Sequence, residues 1–186
     1  MNLKIIIPAT TLMLISILTG CGTQNSTSSI SGNNANEKSA TQWISANPSG
    51  KTANLRLEAA YKNINGGFNF NGFSSGNMTV TIPKGWDVQV SFTNDSSDDA
   101  HSAMIVPYND RQATNLSASS EAFKNSSTPN SFIGVMKGTK QKFNFIASKA
   151  GKYAIVCGVP GHDAAGMWDT LIVSDSASTA TISTQQ

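Results

Sequence analysis

The chain has 186 residues, of which 13% are charged, and its formal net charge is +2. Average soluble domains carry about 25% charged residues, so neutral polar side chains are expected over much of this surface. A net charge this close to zero gives no support for a nucleic-acid-binding protein or for attraction to an anionic membrane surface. The length allows one domain with additional segments.

The N-terminus has the pattern of an export signal. Lys4 precedes an apolar run over residues 5–18, which is short for a transmembrane helix. The sequence Leu18-Thr-Gly-Cys21 that follows resembles a lipobox. We therefore expect a signal peptide over residues 1–20 and lipidation of Cys21, with an uncleaved anchor or plain secretion as alternatives. Lipidation predicts a protein at the cell membrane, with its domain facing the extracellular side.

The rest of the chain divides by composition. Residues 21–50 are rich in Ser, Asn, Thr and Gly, which predicts a lipid-anchored flexible linker. Alternating or apolar runs bounded by turn residues then predict seven short strands, at 55–61, 78–82, 88–92, 103–106, 142–146, 153–156 and 168–173. This spacing predicts an all-β sandwich over residues 51–175. Residues 176–186 are predicted to be a disordered tail.

Two segments interrupt the strand pattern. Residues 62–76 are rich in Gly and Asn and carry Phe68, Phe70 and Phe73 in alternation. Residues 107–131 form a long polar connection between two predicted strands. Long connections in a compact domain are usually functional or mobile.

The densest chemical motif is Cys157-Gly-Val-Pro-Gly-His162-Asp-Ala-Ala-Gly-Met167. Cys157 ends an apolar strand, and the Gly and Pro residues allow the following loop to fold back on itself. His101, the other of the two histidines, lies far upstream of this loop. One thiolate, two imidazoles and one thioether suit a mononuclear type 1 copper site.

Each of these residues alone has an ordinary explanation, such as a buried thiol, an exposed histidine or a core methionine. Their joint occurrence in a chain with only two histidines favours a metal site. Zinc is the main rival, and a methionine is a poor zinc ligand. A Cys–His nucleophile lacks an evident orienting acid or amide, and a redox enzyme lacks ligands for a second metal. We therefore predict an electron carrier and not an enzyme, with a copper-binding or storage lipoprotein that has no redox partner as the alternative.

The motif resembles those of the cupredoxin superfamily and, within it, the sulfocyanins, small blue-copper proteins of acidophilic archaea. The resemblance covers about residues 52–174, with further matches at 68–72, 80–86 and 88–94. It implies a Greek-key β-sandwich with one copper ion at one end, held by His101, Cys157 and His162 as equatorial ligands and Met167 as the axial ligand. It also implies a carrier of single electrons between membrane-bound respiratory complexes on the outer face of the cell, such as an upstream electron donor and a terminal oxidase of a respiratory chain. We expect the protein to be a monomer.

One residue departs from the family pattern. Many cupredoxins have an Asn after the first histidine, and its side chain braces the copper loop; this chain has Ser102, whose hydroxyl can still donate a hydrogen bond. His162 is expected to expose a ring edge as the electron port, and Asp163 to be the one charge beside it. The surrounding docking patch is expected to comprise Gly158, Val159, Pro160, Gly161, Ala164 and Ala165.

Overall fold

The computed structural model describes residues 42–185. Nine strands lie within this range: β1 (Ile44–Asn47), β2 (Thr52–Ala59), β3 (Met78–Pro83), β4 (Asp87–Asn94), β5 (Met104–Pro107), β6 (Lys140–Ile146), β7 (Gly151–Val156), β8 (Trp168–Ser174) and β9 (Thr181–Thr184). Short 3-10 segments occur at Tyr61–Gly67, Tyr108–Asp110 and Ala118–Ser120. No helix in residues 42–185 has the length and hydropathy needed to cross a membrane.

The strands form two sheets, with the orders β1-β2-β4-β6 and β5-β7-β8-β3-β9. Most neighbouring strands are antiparallel, but β2 and β4 are parallel, as are β3 and β8. Alternation in the sequence turns every second side chain toward the space between the sheets, as Val88, Val90 and Phe92 show in β4. The predicted all-β sandwich is therefore confirmed.

All seven predicted strands are present, but the expected boundaries at 51 and 175 are too narrow. Strand β1 pairs with β2 so that Ile44 faces Leu55, which brings part of the expected linker into the sandwich. Strand β9 pairs with β3, where Ile182 faces Val80, so residues 181–184 are not part of a disordered tail. Both strands are four residues long and depend on a longer neighbour for their hydrogen bonds. The signal peptide, Cys21 and residues 21–41 lie outside the described residues.

Part of the long connection after β5 packs on the outer face of the five-stranded sheet, whereas Phe123 from the same connection is buried in the main core. On the outer face the connection helps to form a second, smaller apolar cluster, separate from the core between the sheets. The cluster consists of Met104, Val106, Ala154, Val156 and Trp168 from the sheet, and Tyr108, Leu116 and Phe132 from the connection. This connection is therefore part of the folded domain.

Side-chain amides fix the Gly- and Asn-rich segment before β3. Asn71 accepts a hydrogen bond from the N–H of Glu58 at 2.7 Å and donates to the carbonyl of Arg56 at 2.9 Å, which attaches the segment to β2. Asn63, Asn65 and Asn71 have positive φ, a conformation that Asn adopts more readily than most residues. The Asn-rich composition therefore reflects a defined, tightly turned backbone.

Candidate metal centre

The loop over residues 157–167 (the ligand loop) connects β7 to β8, which are antiparallel neighbours. Its ends lie side by side because Val156 pairs with Trp168. The N–H of Cys157 donates to the carbonyl of Met167 at 3.1 Å, and the N–H of Met167 donates to the carbonyl of His162 at 2.9 Å. The loop therefore folds back on itself, as its Gly and Pro residues predict.

His101 reaches the ligand loop from the segment between β4 and β5. Its N–H and carbonyl exchange hydrogen bonds with those of Val135, at 3.1 and 2.8 Å, which fixes its backbone on one side. On the other side, β5 pairs with β7 so that Met104 faces Val156. Residues 101–103 therefore run beside the start of the ligand loop.

The two imidazoles and the thiol converge on one point. The Sγ atom of Cys157 lies 3.9 Å from Nδ1 of His101 and 3.6 Å from Nδ1 of His162, and the two Nδ1 atoms are 3.2 Å apart. A point about 2.1 Å from all three atoms lies in their plane, and metal bonds to imidazole nitrogen and thiolate sulfur measure about 2.0–2.3 Å. The donor set therefore fits one metal ion.

Burial sets the protonation of these groups. His101 and Cys157 are fully buried, and His162 is half-buried. Burial lowers the pKa of His101 to about 4, and the neighbouring imidazole acts in the same direction. Burial likewise lowers the pKa of His162, and it raises the pKa of the Cys157 thiol to about 11. The imidazoles are thus ready to bind a cation, whereas the thiol must release a proton when the cation enters.

Ser102 braces the start of the ligand loop. Its buried hydroxyl donates to the carbonyl of Ser131 at 2.6 Å and accepts from the N–H of Gly158 at 2.9 Å. The same hydroxyl lies 3.7 Å from Sγ of Cys157, and the N–H of Ser102 donates to that sulfur at 3.4 Å. Ser102 thus connects Ser131, the ligand loop and the thiol of Cys157.

An aromatic ring from the Gly- and Asn-rich segment covers the two imidazoles. The ring of Phe68 meets that of His162 edge to face, with centroids 4.9 Å apart, and that of His101 at 6.2 Å. The sequence carried one signal for this contact, the alternation of three phenylalanines in a segment with no apolar strand of its own. We call residues 61–76 the cap segment.

Backbone and amide contacts fasten the cap segment to the ligand loop. Asn65 donates to the carbonyl of Ala165 at 3.3 Å, and the N–H of Ser75 donates to the carbonyl of Gly166 at 2.8 Å. Gly166 has a φ of +97°, and a Cβ atom there would lie 2.8 Å from Oγ of Ser75. Only glycine adopts this φ readily and also leaves room for the hydroxyl of Ser75, so the glycine in the motif is explained by this contact.

Met167 ends the ligand loop and is fully buried in the main core, which also contains Cys157. Its backbone bonds to Cys157 and His162 hold it at the loop's base. The axial role that the resemblance implies for its sulfur stays a prediction.

The surface around His162 differs in two respects from the expected patch. Gly158 is buried, because the carbonyl of Ser131 lies against it, where a Cβ atom would come within 2.9 Å. Asp163 is buried as well, with Oδ1 accepting from the N–H of Ala164 at 2.8 Å, and burial raises its pKa. The remaining members are half-buried or exposed: Val159, Pro160, Gly161, Ala164 and Ala165. The ligand loop therefore presents no exposed charge beside His162.

Two imidazoles and one thiolate at the end of a β-sandwich define a type 1 copper site, because this donor set tolerates both copper valences. Thiolate suits Cu(I) and imidazole suits Cu(II), whereas no carboxylate from residues 42–185 joins this group of ligands, as hard cations would prefer. The class of protein is therefore a blue-copper cupredoxin.

Comparison with known proteins identifies the family within this class. The family profile of the Sulfocyanin (SoxE) domain matches residues 38–183, and the chain belongs to the sulfocyanin family. The sulfocyanin of Sulfolobus acidocaldarius is 32% identical over 114 residues, which cover 59% of this chain and 57% of that relative. The chain thus matches little more than half of the relative's length.

Among solved structures, reduced rusticyanin is similar with a TM-score of 0.47 and 26% identity, over 67% of this chain and 78% of that chain. Auracyanin A from Chloroflexus aurantiacus has a TM-score of 0.46 and 18% identity, over 66% of this chain and 99% of that chain. Both TM-scores are below 0.5, so the family assignment rests on the profile match.

Proposed function

We propose that this protein shuttles single electrons between membrane-associated respiratory complexes on the outer face of the cell. The observation that carries the proposal is the triangle of His101, Cys157 and His162, in which only His162 approaches the surface. Bound copper supplies the one-electron couple between Cu(I) and Cu(II). Membership of the sulfocyanin family supports the electron-carrier role.

The protein's own residues would serve this role in distinct ways. His101 and Cys157 hold the buried side of the site, and Phe68 keeps water away from both imidazole rings. His162 provides the shortest path to a partner through the exposed part of the ligand loop, which is uncharged and includes Pro160; the nearby Asp99 carboxylate acts on the pKa of His162 from outside this loop. A small neutral rim favours brief encounters, which a shuttle needs in order to release one partner before it meets the next.

The proposed partners are an upstream electron donor and a terminal oxidase. Lipidation at Cys21 would hold the domain at the membrane surface where such complexes lie, and residues 21–41 would act as the tether. The lipobox sequence and the Ser- and Asn-rich composition support this arrangement.

Visible absorption of the Cu(II)-loaded protein tests the site. We expect an intense blue band that bleaches on reduction and is lost in Cys157→Ser. Cys21→Ser is the matched control, since it removes the only other cysteine and should keep the band. A colourless protein, or one that takes zinc in preference to copper, would contradict the electron-carrier role.

Reoxidation tests the partners. The reduced protein is mixed with membranes from the source cells, and the return of the blue band is followed with and without an inhibitor of the terminal oxidase. We expect reoxidation that requires oxygen and is blocked by the inhibitor. A protein that turns blue but is not reoxidised by these membranes would instead be a copper store.

A further inference from the structure

A second surface with a different chemistry lies on the outer face of the five-stranded sheet. We propose that Tyr108, Arg111 and Lys152, together with the buried ring of Trp168 that they contact (the cationic patch), form a docking surface for a carboxylate-rich face of a redox partner, coupled to the metal centre through Trp168. This inference rests on the proposed electron-carrier function and concerns a surface other than that around His162.

The patch has a defined geometry. The guanidinium carbon of Arg111 lies 4.4 Å from the ring centroid of Tyr108 and 5.2 Å from that of Trp168. The ammonium of Lys152 lies 3.8 Å from the centroid of Tyr108, and the two aromatic rings meet edge to face at 6.1 Å. Arg111 also donates from Nη1 to the carbonyl of Tyr108 at 3.0 Å. Cation–π contacts therefore hold both charges in place without neutralising them.

The charges of the patch have no acidic partner within the described part of the chain. Ion pairs there involve Arg56, Lys84 and Lys137, whereas neither Arg111 nor Lys152 lies within 4.0 Å of a carboxylate oxygen. The outer face beside the patch continues with the neutral residues Thr79 of β3 and Ser183 of β9, which face each other across the sheet, while their neighbour Thr170 of β8 is buried. Asp110 precedes Arg111 in the same turn, so the patch carries two cations against one carboxylate that is not paired with either of them. An excess of fixed positive charge attracts an anionic surface and orients it.

A short route leads from the patch to the metal ligands. Trp168 directly follows Met167 in the chain, and it pairs across the sheet with Val156, which precedes Cys157. The N–H of Cys157 donates to the carbonyl of Met167 at 3.1 Å. The route from Tyr108 to Cys157 therefore consists of one ring contact, the covalent bonds between the Trp168 ring and the Met167 carbonyl, and one hydrogen bond.

The transfer through this route involves one electron and no covalent change. A copper ion held by His101, Cys157 and His162 would gain the electron that the partner's reduced centre loses, or the reverse, while the two rings would act only as the medium between them. The neutral rim at His162 and the cationic patch differ in charge, so they would select chemically different partners. A carrier with two such surfaces can distinguish its electron donor from its acceptor.

Paramagnetic broadening locates the anion-binding surface directly. The full chain in zwitterionic detergent micelles is titrated with hexacyanochromate(III), a redox-inert trianion, and the amide NMR signals are recorded with and without copper. We expect the strongest broadening at residues 108–111, 152 and 168–170, and its loss when salt is raised. The double variant Arg111→Gln/Lys152→Gln should abolish this broadening, whereas the control Lys140→Gln/Lys142→Gln on β6 should keep it.

Broadening that centres on β6, or that survives unchanged in Arg111→Gln/Lys152→Gln, would overturn the proposal. Because the titration is also done without copper, its result is independent of the electron-carrier role, which the blue band tests separately. A second readout is the oxidation of the Cu(I) protein by hexacyanoferrate(III) at low ionic strength. The patch variant should react about tenfold more slowly than the β6 control; equal rates would refute the coupling of this surface to the metal centre.

Discussion

Replacing Ser102 by alanine tests how the ligand loop is held. The hydroxyl of Ser102 is buried, and it satisfies the carbonyl of Ser131 and the N–H of Gly158, which are buried too. Ser102→Ala leaves the backbone of residue 102 in place but orphans both partner groups. The same change removes the hydroxyl that lies 3.7 Å from the thiol of Cys157.

The size of the effect follows from these two bonds. A buried group left without a hydrogen-bond partner costs about 1–3 kcal/mol, and the variant creates two such groups. Because the loop can shift slightly and admit water, we expect the free energy of unfolding of the apoprotein to fall by about 2–4 kcal/mol. Urea unfolding measures this loss. A fall of less than about 1 kcal/mol would refute the view that the two bonds brace the loop.

Ser126→Ala is the matched control. Its buried hydroxyl also donates to one carbonyl, that of Ile105, and accepts from one N–H, that of Phe123, both at 3.3 Å. Both variants should lose stability, and only Ser102→Ala should also shift the copper–thiolate absorption band and the reduction potential. If neither variant changes the band or the potential, Ser102 supports the fold alone and does not position the thiol.

Three further predictions concern the cap, the pH response and the loop. Phe68→Ala should speed copper removal by a chelator by on the order of tenfold, because it opens both imidazoles to water, whereas Phe73→Ala should not. His101 alone should lower the free energy of unfolding of the apoprotein by about 3 kcal/mol as pH drops from 6.5 to about 4, because the unfolded chain protonates this residue first; in urea titrations His101→Gln should remove this part of the pH dependence, and a profile identical to that of the unmutated protein would contradict it. Gly166→Ala should lower the midpoint of thermal unfolding more than Gly161→Ala. Both glycines have positive φ, but only the Cβ atom added at residue 166 would meet a neighbouring side chain. Equal decreases in the midpoint would count against the contact between the cap segment and the ligand loop.

The strands that the sequence predicted and those that it did not differ in one respect. Runs such as residues 88–92 alternate strictly over several positions, so the local pattern is enough to identify them. Strands β1 and β9 are four residues long and lie in stretches rich in Ser, Thr and Asn, where alternation is hard to distinguish from chance. Their existence depends on pairing with β2 and β3, which is a tertiary interaction.

The residues of the candidate site also divide into those that the sequence predicted and those that it did not. Cys157 and His162 lie in one short motif, and His101 could be added because the chain has no third histidine. The contacts that support them are not visible in the motif, since the hydroxyl of Ser102 bonds across 29 positions to Ser131 and the amide of Asn65 bonds across 100 positions to Ala165. The buried orientation of Asp163 is likewise set by packing and not by its neighbours in the chain.

These supports explain how a loop so rich in glycine would serve the proposed one-electron exchange. By itself, such a loop would have many accessible conformations, and each would place the imidazole of His162 differently. The cap segment holds the loop at Ala165 and Gly166, and Ser102 holds it at Gly158, so both of its ends are attached to neighbouring segments of the domain. Ligands fixed in this way need little rearrangement when the charge at the site changes by one. We therefore expect the loss of either attachment to slow electron exchange more than it weakens copper binding. Measuring the rate of electron exchange and the affinity for copper in Ser102→Ala would show whether the attachments serve mainly to keep the ligands rigid or to bind the metal tightly.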